Sequence, residues 1–171
     1  MNIKLIRPTA ELKKKAIDFR QEFFDHDEMI INGSELLDKT DDYDEWLKAV
    51  TANTKMETVN PNWVVTDTFF AVDETNRMIG IIDLRHTLND FLKDFGNCGY
   101  SVRPSERRKG YATEMLRQLI KIAANVGMNE LHLAVERDNE PSVKTIKYNG
   151  GIYERSFRFE GEDADIYKIA L

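Results

Sequence analysis

Gly99-Tyr100-Ser101-Val102-Arg103-Pro104-Ser105-Glu106-Arg107-Arg108-Lys109-Gly110-Tyr111-Ala112-Thr113 is the stretch on which the fold turns. Residues 97–103 read as a strand, and Pro104 ends it because proline cannot donate to a ladder. A basic loop follows. From Gly110 to Val126, Met115, Leu116, Leu119, Ile122, Ala123 and Val126 recur at helical spacing, closed by Gly127. The start of such a helix offers unpaired N–H groups and a partial positive charge, which together make an anion site. Gly110 and Ala112 are small enough to let an anion reach the backbone. Arg103, Arg107, Arg108 and Lys109 add four positive charges against one acid, Glu106. A glycine beside a basic run reads, taken alone, as a solvated surface. Set between a strand end and a helix start, it points to a pyrophosphate ligand. The stretch is neither a P-loop nor a GxGxxG dinucleotide turn.

Outward from this stretch, periodicity gives the order of elements. Ile3, Leu5 and Arg7 make a short strand stopped by Pro8. Thr9 is placed to cap a helix that carries Leu12, Ala16, Phe19 and Phe23 on one side. A second helix is predicted from about Asp41 to Met56, with Trp46, Leu47 and Val50 buried. Residues 63–72 and 78–84 are rich in β-branched and aromatic residues and flank a polar run, the pattern of an antiparallel hairpin. Leu131, Leu133 and Val135 alternate, so residues 130–136 are a strand. Asn139 or Glu140 opens a helix with Pro141 at its first position, ended by Gly150-Gly151. Residues 152–159 and 164–170 form a last pair of strands. Neither linker nor repeat interrupts this order, so residues 1–171 are expected to be one domain. Its class is α/β, or α+β, with a mixed central sheet flanked by helices.

Composition narrows the function. Lys and Arg number 24 and Asp and Glu 30, a net charge of −6, which disfavours nucleic acid as a partner. One cysteine, Cys98, allows no internal disulfide and no CxxC zinc site, and no metal is expected. Cys98 reads as a small packed residue, and Trp46 and Trp63 as core. No apolar run approaches the ~20 residues that span a bilayer. Met1-Asn2-Ile3-Lys4-Leu5 lacks the apolar core of a signal peptide, so a cytoplasmic protein without a membrane partner is expected.

Arg107-Arg108-Lys109-Gly110-Tyr111-Ala112 resembles the R/Q-x-x-G-x-G/A signature of the GNAT superfamily of acyl-CoA N-acyltransferases. Asn139-Glu140-Pro141-Ser142, after the next strand, is similar to that family's second cofactor segment, and Gly150-Gly151 falls where the segment's helix ends. The resemblance implies that Tyr100, Ser101 and Val102 pair through their backbone with the pantetheine arm of acetyl-CoA. It implies that Arg107, Arg108, Lys109, Gly110, Tyr111, Ala112 and Thr113 hold the pyrophosphate, largely through main-chain N–H groups. Asn139 and Ser142 would contact the arm; a plain helix cap and a first-turn residue are their other readings.

The implied reaction is direct transfer of acetyl to an amine, on a small molecule or a peptide. An alkylamine is mostly protonated at neutral pH, with pKa ~10, so a base must take its proton. A backbone N–H near Val102 could hold the developing oxyanion. Many relatives carry a Tyr seven residues after the Asn as general acid; here that position is Ile146, and Tyr148 points to another helix face. Water, Tyr100 or Tyr153 are the replacements. Candidate bases are His86 and Asp90, in the segment from Asp83 to Asp90, and Glu136 at a strand end. Each has a bland alternative: a surface histidine, a helix cap, an exposed carboxylate. Residues 25–45 hold nine acids and one Lys, either lining the acceptor site or forming a solvated face. The absent Tyr leaves a noncatalytic acyl-CoA-binding or sensing module as the alternative to an enzyme. Many relatives are dimers, so a homodimer is possible.

Overall fold

The structure, a computed structural model, describes residues 2–171, so Met1 lies outside it. Strands β1 (Lys4–Ile6), β2 (Thr66–Val72), β3 (Met78–Arg85) and β4 (Tyr100–Val102) form one antiparallel sheet in that order. Strands β5 (Glu130–Glu136), β6 (Ile152–Phe159) and β7 (Glu162–Ala170) form a second antiparallel sheet ordered β5-β7-β6. The helices are α1 (Lys13–Asp25), α2 (Tyr43–Ala52), α3 (Tyr111–Asn125) and α4 (Glu140–Tyr148).

The α/β class with helices on a central sheet is as expected, and that sheet is two antiparallel sheets that touch and then part. They meet at a single bridge between Gly96 and Leu133. Asn97 donates its N–H to the His132 carbonyl at 2.7 Å, and its side-chain oxygen accepts from the His132 N–H at 2.8 Å. A side-chain amide thus stands where a ladder carbonyl would, and its Nδ2 is spent on the Arg85 carbonyl at 2.9 Å. Beyond Asn97 the chain follows β3 alone, which leaves the far edge of β4 unpaired.

Each face of the first sheet carries its own core. Phe19, Phe23, Trp46 and Val50 of α1 and α2 pack on Phe70, Met78 and Ile81. The Trp46 and Phe70 rings stack with centroids 5.8 Å apart. On the other face Met115, Leu116, Leu119 and Ile146 of α3 and α4 cover Ile79, Ile82, Leu84, Leu131 and Leu133. Fully burying such side chains contributes roughly 1.5–3 kcal/mol each. Cys98 is buried in this second core, as read from the sequence.

Local chemistry shifts several boundaries. The helix expected from Asp41 begins at Tyr43, because the Asp42 carboxylate caps it, accepting from the Asp44 and Glu45 N–H groups. Thr9 makes no side-chain cap. A 3-10 turn over Ala10–Leu12 leads into α1 instead, and the Thr9 carbonyl accepts the Tyr43 hydroxyl at 2.7 Å. The strand expected over residues 97–103 is regular only over Tyr100–Val102.

Candidate active site

The turn into α3 is built for an anion by its backbone. Arg108 and Gly110 both have positive φ, +62° and +86°. The first amide bonded in the helix is that of Glu114, to the Gly110 carbonyl at 3.2 Å. Among the described residues, the N–H groups of Arg108, Lys109, Gly110, Tyr111, Ala112 and Thr113 have no acceptor. Consecutive free amides around left-handed residues form an anion-binding concavity. A diphosphate fits this run of donors at the positive end of a fifteen-residue helix.

Side-chain charge contributes less than the sequence promised. Arg103 is buried and paired with Asp18 at 3.0 Å and Glu22 at 3.1 Å. Arg107 makes a two-pronged pair with Glu28, both contacts 2.8 Å, and its Nε donates to the Val102 carbonyl. Lys109 bonds Glu106 at 2.8 Å. Arg108 alone of the four has no carboxylate partner among the described residues. Arg103 ties α1, and Arg107 the connection after it, to the turn. Arg107 holds the carboxyl of Glu28 below the usual range, chiefly by hydrogen bonding.

The edge of β4 is the second component. The Gly99 carbonyl accepts from Asp83, and the Arg103 N–H donates to Ile79, so residues 99, 101 and 103 face β3. By the alternation of an antiparallel strand, the backbone groups of Tyr100 and Val102 face the gap. The Ser101 side chain is used elsewhere, donating to the Asn32 carbonyl at 2.8 Å. The Tyr100 hydroxyl meets the Ser142 hydroxyl at 2.7 Å, bringing β4 and the first turn of α4 together. Burial raises the Tyr100 pKa above its ordinary value. Asn139 caps α4, accepting from the Ser142 N–H at 3.3 Å. Thr113 faces α4, where its carbonyl accepts from Asn149 at 3.2 Å. Ile146 is core, Tyr148 is 81% exposed, and the Tyr153 hydroxyl bonds Ser156 on the outer strand.

The structure does not gather His86, Asp90 and Glu136 into one place. The His86 ring lies 2.6 Å from the buried Asp67 carboxylate. It lines an open cavity of about 700 Å3 with Asn97, Val126, Gly127 and His132, at the opposite end of α3 from Gly110. Asp90 is exposed in the connection after β3, where Asn89 rather than Asp90 caps the turn, accepting from the Leu92 N–H at 2.9 Å. Glu136 is exposed at the end of β5.

A different group of polar residues sits behind β4. Asp83 is 1% exposed, and its Oδ1 accepts from the Gly99 N–H at 2.6 Å. Its Oδ2 lies 3.4 Å from Arg85 Nη2. Glu35, in the loop between α1 and α2, hydrogen-bonds to Asp83. Burial first, then that bond and the repulsion of Asp83, push the Glu35 pKa up to about 9, so the carboxyl holds its proton. The loop is pinned here because Trp46 Nε1 donates to the Ser34 and Glu35 carbonyls, both at 3.0 Å. Gly33 lies against the backbone of Gly99. The sequence signal for this pair was coarse: an acid-rich stretch over residues 25–45 and an acid at the end of a strand.

Comparison with known proteins accords with this arrangement. The family model described as acetyltransferase (GNAT) domain matches residues 5–152. No curated protein sequence matches the chain. Among solved structures, YncA of Salmonella typhimurium, determined with acetyl-CoA, superposes with a TM-score of 0.70 at 15% identity over 100% of this chain and 95% of that one. RimL, a ribosomal L7/L12 alpha-N-protein acetyltransferase in complex with coenzyme A, gives a TM-score of 0.71 at 14% identity over 100% and 95%. A spermidine N-acetyltransferase chimera from Vibrio cholerae and hSSAT gives 0.67 at 15% over 99% and 96%. These likenesses are of fold. The match over residues 5–152, together with the amide-lined turn and the parted sheets, places the chain in the GNAT acetyltransferase family.

Proposed function

We propose that this protein transfers acetyl from acetyl-CoA directly to the nitrogen of an amine. The observation that carries the reading is the run of unbonded amides from Arg108 to Thr113 beside the open edge of β4. The diphosphate of coenzyme A suits the first, and its amide-rich pantetheine arm suits the second. Family membership supports acetyl transfer. Structures of the same fold determined with acetyl-CoA or coenzyme A support this donor. Spermidine and a protein N-terminus, named for two such structures, support nitrogen as the acceptor.

When bound, acetyl-CoA supplies the activated acetyl group. The chain's own residues do the rest. Arg108–Thr113 anchor the phosphates, and the backbone of Tyr100 and Val102 aligns the arm. Of the two N–H groups that face the gap, that of Tyr100, the farther from the phosphate turn, is available to the acetyl oxygen as it becomes negative. The Tyr100 hydroxyl, kept protonated by burial and backed by Ser142, delivers a proton to the departing sulfur. We assign the acceptor to small amines or peptide N-termini, and the reaction to the cytoplasm.

The test is thiol release and acetylated product, by mass, from acetyl-CoA with n-butylamine, putrescine, lysine and a peptide with a free N-terminus. Turnover on an amine is expected. Tight binding of acetyl-CoA with no turnover would assign a sensor instead, consistent with Ile146 in place of the family's tyrosine. No binding at all would overturn the donor as well.

A further inference from the structure

Pro8 stops β1 early and leaves part of β2 without a neighbour. Ile6, the last residue of β1, pairs with Phe70, so residues 66–69 run past it on that side of the sheet. Thr66 turns its N–H away from β3, to the Asn53 carbonyl at 2.8 Å. By the alternation of an antiparallel strand, the N–H and C=O of Thr68 face that side too. The space left there is a cavity of about 410 Å3. Its walls are Arg7 and Pro8, the last turn of α2 with the residues just after it, and Thr68. None of them belongs to the α3 turn or to β4.

The free polar groups at this cavity are donors. Thr68 is 2% exposed, and its Oγ1 has no hydrogen-bond partner among the described residues. Asp83, directly across the ladder, makes no hydrogen bond to it. Thr51 and Thr54, also in the wall, have spent their hydroxyl protons on the Leu47 and Thr51 carbonyls, both at 2.7 Å. The carbonyls of Thr51, Ala52 and Asn53 are taken by Thr54, Thr58 and Thr66. Arg7 is fixed from two sides, by Asp67 at 2.8 Å and by the Phe69 ring, whose centroid lies 5.1 Å from the guanidinium carbon. Only its Nη1 is used by Asp67, which leaves Nε and Nη2 free among the described residues. Asp67 itself is buried, with its other oxygen 2.6 Å from the His86 ring, and is not a wall of the cavity. Lys55 brings a second cation to the rim. Buried polar atoms are ordinarily satisfied, so the Thr68 hydroxyl beside these cations marks a place for an acceptor from outside the chain.

We propose that this cavity is a second ligand site, taking a small aliphatic carboxylate. The carboxylate oxygens accept from the free N–H groups of Arg7 and from the Thr68 hydroxyl, charge-assisted bonds that a planar guanidinium makes well. The hydrocarbon part lies on Val50, Pro8 and the methyl groups of Thr51 and Thr54. Lys55 adds attraction at the mouth. The site is separate from acetyl transfer and stands whether or not the chain is an enzyme.

The test is a titration with sodium n-butyrate at constant ionic strength, followed by NMR of the Thr68 methyl and the Arg7 Nε–H. Saturable shifts of both are expected, and n-butanol and n-butylamine are expected to give none. Arg7→Lys keeps a cation for Asp67 and loses the planar donors, so butyrate is expected to bind about 10-fold more weakly. Thr68→Val keeps the shape and loses the hydroxyl, and about a fivefold loss is expected. Acetyl-CoA affinity is expected to stay within about twofold in both variants, which also shows that they are folded. A wild type without saturable shifts, or butyrate affinity unchanged in both variants, would overturn the proposal. Tighter binding of inorganic phosphate than of n-butyrate would overturn the carboxylate class. A Thr68→Val protein that loses stability in urea while binding butyrate as before would assign the hydroxyl to Asp83 and remove it from the site.

Discussion

The Tyr100 hydroxyl lies 2.7 Å from the Ser142 hydroxyl, joining strand β4 to the first turn of α4 across the parted sheets. Ser142 and Ile146 are four residues apart and share a helix face, so the strand brings a phenol to the face where the helix itself carries isoleucine. Tyr100→Phe removes the oxygen and little else. It is expected to lower kcat by about 10- to 100-fold with acetyl-CoA affinity unchanged, measured by thiol release and calorimetry. An unchanged kcat would return proton delivery to water.

The ion pairs around the α3 turn rank its cations. Arg108 is unpaired, whereas Lys109 is already spent on Glu106. Arg108→Glu is expected to weaken acetyl-CoA binding by about 10-fold, ~1.4 kcal/mol. Lys109→Glu is expected to weaken it less. Isothermal titration at low and high salt checks both, and equal effects would contradict the pairing.

Gly33 lies over Gly99 with φ of +76°, and a Cβ there would stand 2.3 Å from the Gly99 carbonyl oxygen. The neighbour is backbone and cannot turn aside. Gly33→Ala is expected to cost about 2–4 kcal/mol and to loosen the loop that carries Glu35. Gly127, also at positive φ, has nothing within 4 Å of its Cβ position. Gly127→Ala is expected to cost only about 1 kcal/mol. Urea unfolding of the two variants gives the comparison.

Two carboxyl groups tilt stability with pH in opposite ways. Glu114 is pulled down to about 2 from 4.5, first by its bond to Arg117. Its contribution is fully present above pH 4.5 and disappears as pH falls toward 2. Glu35 is pushed up, so the unfolded chain loses this proton near pH 4.5 while the folded chain keeps it to about 9. Stability therefore declines across that interval. Urea midpoints from pH 3 to pH 9 are expected to show Glu114→Gln flattening the acid side and Glu35→Gln flattening the alkaline side.

Much of this site was legible locally. The turn at Arg107–Thr113, the cap at Asn139 and the departure at Ile146 are set by residues within one or two helical turns of each other. The opening between the sheets was not legible from periodicity alone, because Asn97 makes it by substituting a side-chain amide for a ladder carbonyl. The basic loop looked more cationic than it is, because Asp18, Glu22 and Glu28 approach it from α1 and the connection beyond.

The sequence by itself determined the order of helices and strands, the strand-to-helix turn with its free amides, and the likeness to the GNAT family. These depend on hydrophobic period, on glycine and proline, and on spacing along the chain. Only the tertiary structure decided that Glu35 meets Asp83, that His86 is tied to Asp67 away from the turn, and that Tyr100 reaches Ser142. Burial and proximity through space set the proton affinity of a side chain, and neither is encoded in its neighbours along the chain.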